Sequence, residues 1–546
     1  MCVGCYQVQA PRKLEVWVCS VYGETRAAAR AAARQLLEEI SRPGYDRVAE
    51  QVGEWWKGYW QQTATVRLPD CERELLYYLG LYKLAGLSWP GGPAATLQGP
   101  WVEEYCLPPW SGDYHFNINV QECYWPAFAA NQTQTLLPLV QLLESWEPIL
   151  RRNARVFAGV EDGLQLPHAV DDRCTCMGGF WTGSVDHGST TWTGQLLWLY
   201  YRHTMDEGFL GETAYPFLKG AMRVYEAMLE DDGECYYLPV SVSPEFGGAS
   251  KDAWGRNASF QLANIHFLCR ALLRASQILN VDHPERRRWQ DIEDRLPLAA
   301  TAPEGNEIYL WEGQPLSESH RHHSHLAGLY PFDIFDYRED EQQRALVQAS
   351  MNRLTTMGMG LWSGWCVPWA SILFARLGHG EMADLLLGLF RRVFMNAGYA
   401  STHDAAFPGF TLLAGRPQIM QVEACLGAAA AVIEMLMHTA GGVLHLFPAV
   451  PGRWREASFE GFRAEGAFLV SAWREQGRTT KVIIESEAGA VLVLANPFVG
   501  EVIVRRDKGQ EERLAGEVLR LSTAVGERLT LTPMGAVLPT ALLGPR

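Results

Sequence analysis

The chain has 546 residues, 48% hydrophobic and 20% charged, with 47 Lys+Arg against 62 Asp+Glu and a formal net charge of −15. That length exceeds what one hydrophobic core usually fills, so two or three domains are expected. So acidic a field repels a phosphate backbone, and nucleic acid is excluded as a natural partner.

No apolar run reaches the roughly 18 residues of a membrane span, so no membrane partner is expected. The amino end, Met1-Cys2-Val3-Gly4-Cys5-Tyr6-Gln7, lacks the basic head and apolar stretch of a secretory signal, and a cytoplasmic location is expected. Twelve Cys are too few for a disulfide scaffold. The close pairs Cys2/Cys5 and Cys174/Cys176 lack a second pair or a nearby His to complete four zinc ligands, so free buried thiols are expected. Twenty Trp, 20 Tyr and 21 Phe are mostly core material, but sugars also pack on exposed rings, which favours a carbohydrate ligand.

In chain order, residues 13–20 (KLEVWVCS) alternate and are rich in Val and Trp, as one strand would be. Alone it cannot stay paired, so it should dock on sheet elsewhere in the chain. An Ala- and Arg-rich helix is expected over 25–40, followed by the aromatic landmark EWWKGYW at 54–60. From about 71 to 439 apolar residues recur at three- and four-residue spacings. The segments are 72–87, 133–157, 192–204, 215–230, 259–279, 341–357, 368–377, 381–394 and 418–437. Long Gly-, Pro- and aromatic-rich loops intervene, as at 89–110 and 238–254, and loops that long in a compact domain are usually functional. This pattern predicts a mainly α toroid in which helix pairs ring a central pocket; no fixed-period repeat supports a solenoid. Beyond 441, short β-branched runs at 443–446, 467–473, 480–485, 490–495, 501–505 and 529–532 predict an antiparallel β-sandwich, packed on the toroid and the amino-terminal strand. The expected domains are therefore 1–60, a remnant strand and linker helix; 61–440, the helical barrel; and 441–546, the sandwich.

Four segments carry candidate chemistry. In Asp113-Tyr114-His115-Phe116-Asn117-Ile118-Asn119, the two Asn flank Ile118, so an extended backbone would turn both amides to one side; turn and cap formation is the competing role. Ser243-Pro244-Glu245-Phe246-Gly247-Gly248 sets one carboxylate between Pro and two Gly, a rigid mount for a general acid if its surround is apolar and raises its pKa. A solvated loop Glu is the alternative. His320-Arg321-His322-His323-Ser324-His325 packs four imidazoles without the helix spacing of a zinc hydrolase, which leaves metal binding, hydroxyl or anion recognition, and structural roles open. Glu423 begins the last long helix, where an acid also simply complements the dipole.

Together these segments resemble glycoside hydrolase family 95, the inverting α-L-fucosidases. The motif P-P-W-x-x-D-Y-H-x-N-I-N-x-Q-x-x-Y-W-P stands here as Pro108-Pro109-Trp110, Asp113-Tyr114-His115, Asn117-Ile118-Asn119, Gln121 and Tyr124-Trp125-Pro126. Before it, the family's P-A-N-L-Q-G-x-W is matched by Pro93-Ala94 and Leu97-Gln98-Gly99. The family's S-P-E matches Ser243-Pro244-Glu245, and H-R-H-x-S-H-L-x-G-L-Y-P matches His320 through Pro331. The later H-L-x-P-A-x-P matches His445-Leu446, Pro448-Ala449 and Pro451.

The resemblance implies an (α/α)6 barrel followed by a β-sandwich. Glu245 would be the general acid, and Asn117 and Asn119 would position and activate water with a carboxylate. His115, Arg321 and His322 would hold sugar hydroxyls. That carboxylate is Asp in the family's Q-I-D-G-N-F-G; here Glu423 is one methylene longer. His187 keeps the first position of H-N-T-D-x-W, whose central Asn and Asp are lost, and would contact substrate. The resemblance also implies an amino-terminal β-sandwich, of which residues 13–20 are the expected remnant.

Inversion requires an acid and a water-activating base on opposite faces of the sugar, with carboxyl groups about 6.5–9.5 Å apart. The expected activity is exo-hydrolysis of a terminal α-L-fucosyl or related residue, such as L-galactosyl, from an oligosaccharide or glycoside partner, with no cofactor and no metal. An inverting phosphorylase and a catalytically weakened sugar-binding protein are the alternatives. Linkage and oligomeric state are not encoded in any motif.

Overall fold

The computed structural model describes residues 2–10, 13–21, 23, 25–101, 107–177, 183, 185–248, 250–414, 419–507 and 509–535. The chain divides into two compact units, residues 1–63 and 64–546.

In the first unit, strand β1 (Cys2–Ala10) pairs antiparallel with β2 (Lys13–Val21), from Cys2↔Val21 to Ala10↔Lys13. The strand read at 13–20 is therefore not an orphan. Its pairing partner is the segment just before it, so the expectation that it pairs with sheet elsewhere in the chain is corrected: the two strands form a sheet of their own. Helix α1 (Arg26–Ser41) starts where the Thr25 hydroxyl accepts a bond from the Ala28 N–H, a standard N-cap. It buries Ala29, Ala33 and Leu37, spaced four apart, and Ala33 and Leu37 pack with Cys19, Trp17 and Val21. The aromatic landmark lies on α2 (Tyr45–Gln62), where Trp55 stacks on Tyr59 and Trp56 on Trp60, each pair four residues apart.

The second unit opens with β3 (Thr65–Arg67) and α3 (Cys71–Leu87), whose Asp70 cap accepts from the Glu72 and Arg73 N–H groups. Next come β4 (Tyr114–His115), α4 (Asn119–Ala129), α5 (Leu137–Ala158), β5 (Ala169–Val170), α6 (Gly188–Thr204) and α7 (Tyr215–Met228). They are followed by a small hairpin, β6 (Glu230–Asp231) and β7 (Tyr236–Tyr237). The helical part ends with α8 (Ser259–Leu279), α9 (His283–Arg295), α10 (Glu341–Met357), α11 (Cys366–Arg376), α12 (Gly380–Val393) and α13 (Glu423–Leu436).

Burial sorts these helices. α4, α6, α8, α11 and α13 are buried nearly all round, while α5, α7, α9, α10 and α12 keep a solvated face. Inner and outer helices alternate along the chain as an (α/α)6 toroid. In the inner position between α9 and α10 the chain runs instead through the His-rich segment, with one 3-10 turn at Ser324–Leu326. The inner ring closes there because His323 Nε2 pairs with the Cys366 carbonyl at 3.1 Å and Trp369 Nε1 donates to the Tyr330 carbonyl at 3.2 Å.

The ring's axis is plugged by aromatics: Trp192 packs 5.7 Å from Trp369 and 5.6 Å from Phe260, and Trp125 lies 5.0 Å from Tyr330. Much of the aromatic excess is thus core. α4 and α9 were not expected; α4 is short and contains Pro126, and α9 is strongly charged, with only Trp289 and Ile292 buried.

The strands after α13 are β8 (Met437–Ala440), β9 (Val443–Leu446), β10 (Ala457–Ala464), β11 (Phe468–Glu475), β12 (Arg478–Ser486), β13 (Val491–Ala495), β14 (Val502–Arg506), β15 (Glu511–Leu514), β16 (Val518–Ser522) and β17 (Glu527–Pro533). The strands form a seven-stranded sheet, β15-β14-β17-β12-β11-β10-β3, and a four-stranded one, β16-β13-β9-β8, in which β13 runs parallel to β9. The strand from the amino-terminal side that joins this sheet is β3, with Val66 opposite Phe459. Among the described thiols none is in a disulfide; Cys174 is buried as expected, whereas Cys176 and Cys71 are exposed. The side chains of Cys2 and Cys5 lie outside the described residues. No described helix is long and apolar enough to cross a membrane.

Candidate active site

The mouth of the ring brings together all of the predicted residues except His187. β4 pairs with β5 (His115↔Ala169), which fixes His115 beside Asp113, 3.2 Å from its Nδ1. The chain then turns, and Asn119 becomes the first residue of α4, so residues 117–119 are not one extended run. The two amides reach different carboxylates. Asn117 Nδ2 donates to Glu245 Oε1 at 3.1 Å, and Asn119 Nδ2 donates to Glu423 Oε1 at 2.7 Å.

Glu245 sits on a tight turn with φ +59, a left-handed conformation costly for a residue with a Cβ. The turn is held by Gly248 N–H to the Glu245 carbonyl at 3.1 Å and by Ser243 Oγ against Ser324 Oγ at 2.7 Å. Gly247, at φ +72, is required: a Cβ there would meet the Ala253 Cβ at 2.3 Å.

The surround of Glu245 is not apolar, and the expected upward pKa shift is corrected. Burial does raise it, but the His322 and His115 imidazoles and the Arg321 guanidinium more than offset that, holding the carboxyl well below its ordinary range. His322 Nε2 lies 3.2 Å from Oε2, His115 Nε2 lies 3.9 Å from Oε1, and Arg321 donates directly to Oε2. His115 in turn is pushed up to about 9: burial opposes its charge, but Asp113 and Glu245 prevail.

Glu423 shows the opposite balance. It is 0% exposed, at the start of α13, and burial raises it to about 8 although the Asn119 bond pulls the other way. These shifts favour an anionic Glu245 in the cleft and a neutral Glu423 buried behind Asn119 at neutral pH.

The His-rich segment divides its roles. Arg321 and His322 line the cleft; His320 stacks on Phe246 at 3.8 Å, His323 bonds to a backbone carbonyl, and the ring of His325 is buried in the inner ring. His187 is not brought to the cleft. Its Nδ1 pairs with the Val185 carbonyl at 3.0 Å, and its ring packs 4.7 Å from Tyr225 in a fully buried place, so the expected contact with substrate is corrected.

Five residues that line the cleft had no expected site role: Leu97, Trp110, Trp365, Gln421 and His403, the last paired with Asp404 at 2.5 Å and 5.2 Å from the Trp110 ring. The dipeptide His403-Asp404, in a long loop between two helical stretches, is a signal that could have found His403.

The free volume among these side chains is only about 50 Å³. A larger cavity of about 480 Å³ lies between α6, α8 and the sandwich, but its one carboxylate, Glu465, is already paired with Arg202 at 2.5 Å. The chemistry of paired carboxylates belongs to the smaller cleft.

Comparison with known proteins agrees with this geometry. Residues 59–436 match the glycosyl hydrolase family 95 catalytic domain, and residues 439–531 match the glycoside hydrolase family 95 C-terminal domain. The chain is 28% identical over 460 residues to Alpha-L-fucosidase 2 of Arabidopsis thaliana, covering 77% of this chain and 52% of that protein. It is 26% identical over 435 residues to the protein named Probable alpha-fucosidase A of Aspergillus niger, covering 74% and 52%. The chain thus spans about half the length of these relatives. Among solved structures, one provisionally described as a kojibiose phosphorylase from the human microbiome matches with a TM-score of 0.59 at 12% identity, covering 94% of this chain and 75% of that one; it shows the shared fold. A matched catalytic domain spanning most of the toroid and a matched carboxy-terminal domain establish that this chain belongs to glycosyl hydrolase family 95.

Proposed function

We propose that the chain is an inverting glycoside hydrolase that releases a terminal α-L-fucosyl or closely related residue. The observation that carries this reading is the pair of amides on one turn, each holding a different glutamate, Asn117 on Glu245 and Asn119 on Glu423. The names of the Arabidopsis and Aspergillus relatives support the fucosyl class.

In this mechanism Asn119, which lines the cleft, presents its Oδ1 to a water while its N–H points at the Glu423 carboxylate. The hydrogen bond to an anion polarises the amide and makes its oxygen a better acceptor. As the water oxygen bonds to the anomeric carbon, its proton passes to Asn119 Oδ1 and the amide proton to Glu423. The glycosidic C–O bond breaks on the other face, and Glu245 gives its proton to the leaving oxygen.

The resting protonation is the reverse of this, and substrate corrects it. In this reading the sugar hydroxyls compete with Glu245 for Arg321, which lines the same small cleft, and draw it away. Burial then dominates at Glu245, which takes up a proton, and Glu423 gives one up in the range near 8. His115, Arg321 and His322 serve as the hydroxyl contacts.

The test is a panel of aryl glycosides (α-L-fucoside, α-L-galactoside, β-D-galactoside, α-L-rhamnoside) with the product anomer followed by NMR. Cleavage of the α-L-fucoside with inverted configuration is expected. Retained configuration, sugar 1-phosphate formed only with added phosphate, or binding without turnover would each overturn the reading.

A further inference from the structure

A buried acid lies next to the Asn119–Glu423 pair, and the mechanism above does not use it. Glu122 is 0% exposed, and neither of its carboxyl oxygens has a hydrogen-bond partner among the described residues. Burying a carboxyl in this way is costly, and its position explains why the cost is worth bearing.

On α4, Glu122 follows Asn119 by three residues and shares its face; on α13, Gly427 follows Glu423 by four and shares that face. A Cβ at Gly427 would stand 1.9 Å from Glu122 Oε1, so the carboxyl occupies the notch that glycine leaves, one turn below Glu423. One oxygen of Glu423 is held by Asn119; the other, also buried, has no partner among the described residues.

We propose that Glu122 is a positioning residue for Glu423: as an acid it offers its O–H to the free carboxylate oxygen and fixes the rotation that Asn119 alone leaves open. Glu423 has one more rotatable bond than the aspartate of the family's motif, and a second hold compensates for that freedom. The proposal rests on Glu423 being the proton acceptor of the reaction above.

The groups facing this pair are Cys123 on α4, Cys366 on α11, Tyr330 on the inner His-rich segment, and His115 beyond Glu423. The two thiols and the phenol are all raised by burial and bring no competing negative charge near neutrality. Glu122 itself is held well above the carboxylate range by burial and by Glu423, so it keeps its proton while Glu423 ionises.

The experiment measures kcat/KM from pH 5 to 10 on 4-nitrophenyl α-L-fucoside for wild type, Glu122→Leu, Glu122→Gln, Gly427→Ala and Glu423→Gln, with thermal melts to confirm folding. Glu122→Leu should lower kcat by about tenfold at unchanged KM and move the alkaline limb upward by about half a unit or more, because the Glu423 carboxylate loses its donor. Gly427→Ala should follow it by displacing the carboxyl, and Glu122→Gln, which retains a donor, should stay within about threefold of wild type. An unmoved limb with unchanged kcat in Glu122→Leu, or a limb moved to lower pH, overturns the proposal. Full activity in Glu423→Gln would instead sink the acceptor assignment, whereas an inactive Glu423→Gln beside a wild-type-like Glu122→Leu sinks only the role of Glu122.

Discussion

Glu245 and Glu423 are the same side chain on either side of one turn, yet their environments drive them apart. Glu245 rides a strained loop among a guanidinium and two imidazoles and is ionised. Glu423 starts a helix inside an apolar ring, meets one amide, and is neutral until about pH 8. The difference teaches that the donors placed around a buried carboxyl, more than its depth, decide its charge. In the proposed reaction the two carboxyls would have to exchange protonation states, Glu245 gaining a proton and Glu423 losing one.

The largest effect that would break this pairing comes from neutral isosteres. Glu245→Gln and Glu423→Gln should each lower kcat by roughly 10²–10⁴-fold on an aryl fucoside; wild-type turnover in either would remove that residue from the mechanism. Arg321→Met takes away the cation over Glu245, so kcat/KM should fall about tenfold. Its acidic limb should move to higher pH, because the depressed Glu245 pKa relaxes upward. A limb that stays in place would show that the imidazoles alone hold the charge.

On the loop side, Gly247→Ala combines a positive φ with a close approach to Ala253. It should cost about 1–3 kcal/mol in urea unfolding, with a loss of kcat as the Glu245 turn shifts. Unchanged stability would mean that the turn is not under strain.

The smallest effect is a slope. A carboxyl raised from 4.5 to about 8 on folding favours the folded state fully below pH 4.5, and that contribution is lost as pH rises toward 8. Glu423→Gln should therefore unfold with a shallower fall in stability between these values than wild type does. Parallel curves would show that Glu423 is not raised.

Much of the fold was legible from apolar spacing. Residues 259–279 and 341–357 are helices with the bounds read from the chain, and 443–446 is the strand expected. The failures have physical causes. α4 was missed because Pro126 and an almost wholly buried surface erase any amphipathic stripe. β3 was missed because three residues carry no period, and its pairing with β10 joins segments nearly 400 residues apart. His187 was expected at the cleft from its motif position, whereas the start of α6 turns it against Tyr225.

By itself, the sequence determined where most of the helices lie, the strand-rich end and which polar residues stand next to Gly, Pro and each other, because those depend on local periodicity and backbone preference. Only the tertiary structure decided that Asn117 meets Glu245, that Asn119 meets Glu423, that Gly427 makes room for Glu122, and which carboxyl keeps its proton. Such outcomes depend on burial and on charges brought close from distant parts of the chain, and a local pattern contains neither.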